Sequence, residues 1–133
     1  MGTSAFASGK QARVALVVDD NPLIRRAICE ELTSAGFDSC VEAENGAEAI
    51  SEAAKVNPHL VILDLAMPVM NGLKAAPLLR RMLPTSPIIL FTLHGPILSK
   101  TDFSGIGVTA VVSKDEPLQK LVSTATSLMA ANR

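Results

Sequence analysis

The 133-residue chain predicts a doubly wound α/β fold built on a parallel sheet. Three observations carry that prediction. Four short, nearly continuous apolar runs recur: "VALVV" (14–18), "LVIL" (60–63), "IILF" (88–91) and "VTAVV" (108–112). Runs of this kind, rich in Val and Ile, fit strands buried on both faces. Stretches with helical spacing alternate with them, which argues βα repetition around a parallel sheet. Polar residues, finally, fall at the C-terminal ends of the runs, the edge where ligands bind in open α/β sheets.

The elements follow in chain order. Residues 1–11, "MGTSAFASGKQ", lack the apolar core of a signal peptide and read as a flexible tail or expression remnant, leaving 12–133 as one domain. After the first strand, "DDNP" offers Asn21 as an N-cap and Pro22 at the first helical position. Leu23, Ile24, Ala27, Ile28 and Leu32 then make one apolar face, and Gly36 can close the helix. "DSCVEA" (38–43) alternates more than the other runs and reads as an edge strand. A second helix spans about 46–56 and stops at Asn57-Pro58. The third, about 71–83, contains Pro77, which is expected to kink or shorten it. "HGPILSKTDFSGIG" is poor in helix formers, so only a short fourth helix from Pro96 is expected. The last helix, about 117–131, turns Leu118, Leu121, Val122, Ala125 and Leu128 to one side.

Composition narrows the function classes. A hydrophobic share of 48% indicates a folded domain, and a formal charge of −1 supplies no general attraction to nucleic acid or anionic membranes. No apolar stretch is long enough to cross a bilayer. Cys29 and Cys40 have neither metal-ligand nor redox spacing, so two reduced core cysteines are expected in a cytoplasmic protein. The absence of Trp and Tyr weakens any reading that needs ring stacking, a flavin carrier included.

The polar residues at strand ends carry the chemistry. Asp19 and Asp20 end the first strand, Asp64 the third and Thr92 the fourth, while Lys114 follows the fifth. Singly, each is an ordinary capping or solvated residue. Together, at one edge of one sheet, they form a site. Three carboxylates about 5 Å apart repel by roughly 3 kcal/mol per pair at an effective dielectric of 20, so the cluster calls for a cation or raised pKa values. Oxygen ligands favour a hard ion, with Mg²⁺ the natural choice. Such an ion, a lysine and a hydroxyl suit a phosphoryl group, and the central acid suits a nucleophile.

From about residue 13 to 130 the chain resembles the receiver domain of two-component response regulators. "LVVDDNPLIRRAI", "EAENGAEAI", "LDLAMPVMNGL", "PIILFT" and "VVSKD" match that family's blocks in order and separation. The resemblance implies a CheY-like, flavodoxin-like (βα)5 three-layer sandwich with strand order 2-1-3-4-5. It implies that Asp64 takes a phosphoryl group from a phosphohistidine or a small acyl phosphate. Asp20 would bind Mg²⁺ directly, Asp19 mainly through water, and the Ala66 backbone carbonyl would add a ligand, with Mn²⁺ as a substitute ion. Lys114 and Thr92 would contact the phosphoryl oxygens.

Ala66 and His94 occupy the two positions that tune acyl-phosphate lifetime in the family. Val111 stands at the switch position, where Tyr or Phe is common, and Asp115 follows the lysine where many members have Pro. Such a domain would slowly lose its own phosphate without being a turnover enzyme. An aspartyl phosphatase would commonly carry a second acid at the position of Ala66. Implied partners are a sensor histidine kinase or phosphotransfer protein, docking on the first helix around Arg25 and Arg26, and an output domain beyond residue 133. Neither nucleic acid nor membrane is an expected direct partner, and a monomer or weak homodimer is the expected state. The alternative reading is a pseudo-receiver, a protein-interaction module that works without phosphate.

Overall fold

The computed structural model describes residues 12–93 and 103–131. Its elements are β1 (Val14–Val18), α1 (Pro22–Ser34), β2 (Ser39–Ala43), α2 (Gly46–Val56), β3 (Leu60–Leu63), α3 (Gly72–Met82), β4 (Ile88–Thr92), a 3-10 helix (Ser104–Ile106), β5 (Ala110–Ser113) and α4 (Leu118–Ala131). The strands are all parallel and run β2-β1-β3-β4-β5. That order is the predicted one, with β2 on an edge. From β1 the chain steps outward to β2, then returns to the other side of β1 as β3, so the order reverses between β1 and β3.

Period-two alternation explains the three layers. Leu16, Val18, Val61, Leu63, Ile88 and Leu90 point to one face and bury with Ala49 and Ala53 of α2 and Ala75, Ala76 and Leu79 of α3. Ala15, Val17, Leu60, Ile62, Ile89, Phe91 and Val112 point to the other. There they meet Ile28 and Leu32 of α1 and Leu121 and Ala125 of α4. A strand with helices on both sides has no polar face to offer, which is why its sequence reads as an unbroken apolar run.

Helix boundaries follow local chemistry. The Asn21 side chain accepts from the amides of Leu23 and Ile24, Pro22 opens α1, and Asn45 and Asn71 cap α2 and α3 in the same way. Gly36 holds φ +110° just past α1, and Asn57 ends α2 in the left-handed region. Pro77 does not break α3: the helix runs through it to Met82. Pro77 offers no amide to the carbonyl of Leu73, four residues back, a residue that is 44% exposed. The fourth helix expected from Pro96 lies mostly outside the described residues, as does the 1–11 tail. Where description resumes there is a 3-10 helix.

The cysteines correct an expectation. Cys29 on α1 and Cys40 on β2 are joined in a disulfide, with their Cα atoms 5.6 Å apart. Separation along the chain gave no sign of this, because α1 folds back over the sheet and lays its Cys29 side against β2.

Candidate functional site

Register brings the acids together. Val18 pairs with Leu63, so the residues that follow them, Asp19 and Asp64, leave adjacent strands at one level. The Asp64 amide donates to the Val18 carbonyl at 2.9 Å and the Asp19 amide to the Ala43 carbonyl at 3.1 Å, which extends the ladder past both strand ends. Both acids are buried while Asp20 is exposed, yet all three offer carboxylate oxygens within 4.8 Å of one another.

Lys114 reaches this cluster from the far side of β4. Thr92 pairs with Ser113, and the Lys114 amide donates to the Thr92 carbonyl at 2.8 Å. From there the ammonium donates to Asp19 Oδ2 at 2.6 Å and to Asp64 Oδ2 at 3.2 Å. It also lies 5.8 Å from the centroid of the Phe91 ring. Thr92 itself is buried at the end of β4.

Electrostatics make the site unfinished as a purely protein assembly. Burial pushes the Asp64 carboxyl above its ordinary value; Lys114 opposes this and the Asp19 charge adds to it. Burial draws Lys114 down, but the hydrogen bond to Asp19 and the Asp64 and Asp19 charges outweigh that and raise it. Three carboxylates face one ammonium, so an excess of negative charge sits at the mouth of a buried site. An all-oxygen donor set of this kind fits a hard divalent cation.

The loop after Asp64 is held from two sides. The Gly72 amide donates to the Leu65 carbonyl at 2.9 Å, and the Gly46 amide, opening α2, donates to the Met70 carbonyl at 2.8 Å. Within it the Met70 amide donates to Pro68 at 2.7 Å across Val69, whose φ is +67°. This is a tight three-residue turn in a conformation β-branched residues rarely adopt. Ala66 is exposed on the same loop.

A search of family models matches residues 15–126 to the response regulator receiver domain. The chain belongs to that family. Among curated relatives of this receiver domain, a protein named as a transcriptional regulator in Pseudomonas aeruginosa is 34% identical over 86% of the chain. A protein-glutamate methylesterase/protein-glutamine glutaminase of Archaeoglobus fulgidus is 42% identical over 59% of it. The chain spans 56% of the first relative and 22% of the second, so both carry more than this domain. Among solved structures, the chemotaxis response regulator CheY4 of Vibrio cholerae superposes with a TM-score of 0.79 at 27% identity, covering 89% of this chain and 99% of that one.

Against the residues named from sequence, the receiver fold brings Asp19, Asp20, Asp64, Thr92 and Lys114 to one edge. His94 lies outside the described residues. Val111 is half-buried and packs with the α2–α3 side of the core. Arg25 is not the open docking residue expected: its side chain is only 14% exposed, with Nε 2.9 Å from Glu42 Oε1 and Nη1 donating to the Asp19 carbonyl at 2.6 Å. Arg26, one residue on, does face solvent. Sequence reasoning missed the inward turn of Arg25 and the ring of Phe91 beneath Lys114. The spacing of Arg25 from Ile28 and Leu32 was the available sign, since i, i+3 and i+7 share a helix face.

Proposed function

We propose that this receiver domain accepts a phosphoryl group on Asp64. One observation carries the reading: Asp64 is buried at the end of a central strand, hydrogen-bonded to Lys114 and within 4.8 Å of two further carboxylates. A carboxylate oxygen of Asp64 attacks the phosphorus of a phosphohistidine; the new P–O bond replaces the P–N bond, and the imidazole leaves with a proton. Asp19, Asp20, Asp64 and the Ala66 carbonyl would hold Mg²⁺, or Mn²⁺ in its place, which supplies positive charge to the phosphoryl oxygens. Lys114 adds charge from the other side, and the Thr92 hydroxyl donates to a phosphoryl oxygen.

Ala66 and His94 set the lifetime of the acyl phosphate, and Val111 relays its presence without an aromatic ring. The reaction is autocatalytic and self-limiting, not turnover. In this reading residues 1–11 are a tail and 12–133 the receiver domain, working in the cytoplasm as a monomer or weak homodimer. Receiver domains pair with histidine kinases; the partner here is a sensor kinase or phosphotransfer protein, and an output domain joined to this chain would read the switch. Direct contacts with nucleic acid and membrane are not part of this domain's role; among the described residues no helix is long and apolar enough to cross a membrane.

The test is mass spectrometry of the wild type and Asp64→Asn after acetyl phosphate with Mg²⁺. A phosphoryl adduct on the wild type alone is expected. An adduct on both proteins removes Asp64 from its role, and an adduct on neither favours the phosphate-independent module.

A further inference from the structure

Two ties join α1 to the edge strand β2, and they run side by side. Arg25 and Cys29 stand four residues apart on one face of the helix; Glu42 and Cys40 stand two apart on one face of the strand. Arg25 pairs with Glu42 at 2.9 Å and Cys29 is bonded to Cys40. The first tie does not stop at Glu42. The same guanidinium donates to the Asp19 carbonyl, and the Asn21 amide, at the helix start, donates to Asp19 Oδ1 at 2.9 Å. The position of α1 against β2 therefore sets the backbone and the carboxylate of Asp19, one member of the acidic cluster.

We propose that the Cys29–Cys40 pair is a reversible thiol–disulfide staple that tunes divalent-cation affinity at Asp19, Asp20 and Asp64 through Arg25. This rests on the receiver reading of the acidic cluster. Both cysteines are half-buried, so a small thiol or disulfide reaches them. Ile28, Leu32 and Phe37 bury fully or nearly so beside them, so α1 stays docked when the bond is open. What changes is the constraint one turn past Arg25. With the bond closed, Arg25 and Glu42 are held in register and Asp19 is pre-set for the ion; with it open, part of the binding energy goes into ordering the seam.

The redox step balances by exchange. A thiolate of the pair attacks a low-molecular-weight disulfide of the glutathione class, releasing one small thiol. The second cysteine then displaces the other, so the pair loses two protons and two electrons and two small thiols leave.

The experiment is isothermal titration of Mg²⁺ into the full chain, once reduced and once oxidised with glutathione disulfide, with mass and free-thiol counts confirming each state. We expect an intrachain disulfide with no retained glutathione. Mg²⁺ should bind about fivefold tighter in the oxidised form, at the lower end of coupling between linked sites. The Cys29→Ser/Cys40→Ser double variant should bind like the reduced wild type whatever the redox buffer, and Arg25→Gln should erase the difference between redox states. Equal affinity in the two wild-type forms, or failure to form the intrachain bond, overturns the staple and leaves the receiver reading standing. Absence of Mg²⁺ binding in both forms overturns the receiver reading and the staple with it.

Discussion

The Lys114 ammonium lies 2.6 Å from the Asp19 carboxylate, although 95 residues separate them in sequence. Both side chains are nearly buried, at 11% and 2% exposure. The contact is the closest that Lys114 makes to either acid, so the lysine leans on Asp19 rather than on Asp64. Removing it leaves buried acids without their cation, a change that costs about 3 kcal/mol in comparable buried pairs. Lys114→Met should lower stability by that order at neutral pH. The loss should shrink at mildly acidic pH, as the stranded Asp64 carboxyl, already pushed up by burial, takes up a proton. Urea denaturation at two pH values, without divalent ions, checks both parts.

Asp64 supplies the opposite sign. Its folded-state pKa is raised, first by burial, so the folded protein binds its proton more tightly than the unfolded chain does. The stability it contributes is present below the unfolded value of about 3.8 and is lost as pH rises through the folded value. Asp64→Asn carries no charge to desolvate. Without metal it should stabilise the protein at pH 7 by on the order of 1 kcal/mol, with the gain falling away toward pH 3. Thermal melts across that range, with Mg²⁺ removed by chelator, would show no such pH trend if the folded-state value were not raised.

Gly46 has no room for a side chain. A Cβ there would stand 2.6 Å from the Met70 carbonyl oxygen and 2.8 Å from its Cγ, in the loop that follows Asp64. Gly46→Ala should cost about 1–3 kcal/mol, the usual range for overpacking, and should weaken Mg²⁺ binding through displacement of that loop. Gly105→Ala, where a Cβ meets nothing within 4 Å, is the matched control and should be near neutral. Equal effects of the two substitutions would contradict the close approach.

Val69 carries the backbone cost of the same loop. It holds φ +67° while 83% exposed, so it gives up conformational freedom and gains no burial. Val69→Asn, a residue that tolerates this region, should raise stability by about 1 kcal/mol. The midpoint of chemical denaturation should move up with an unchanged slope.

Much of this was open to reading in one dimension. Strands buried on both faces must be apolar throughout, so "VALVV", "LVIL" and "IILF" announced a covered parallel sheet, and Asn21-Pro22 and Asn57-Pro58 marked helix ends through their own backbone chemistry. The strand ends followed from the runs, and with them the edge at which Asp19, Asp20, Asp64, Thr92 and Lys114 meet. These features depend on residues close in sequence, or on a topology that βα repetition restricts to few forms.

What only the tertiary structure decided depends on where α1 lies over the sheet. Local pattern places Arg25 and Cys29 on one helix face, but not against which strand. Packing of Ile28 and Leu32 beneath the sheet turns that face to β2, making Arg25 a support for Asp19 and joining Cys29 to Cys40. The same holds for Lys114, whose choice between two acids is a matter of tenths of an ångström set by the register of β4 and β5. A sequence states which groups share an edge; the distances that rank their interactions come from side chains packed across elements far apart in the chain.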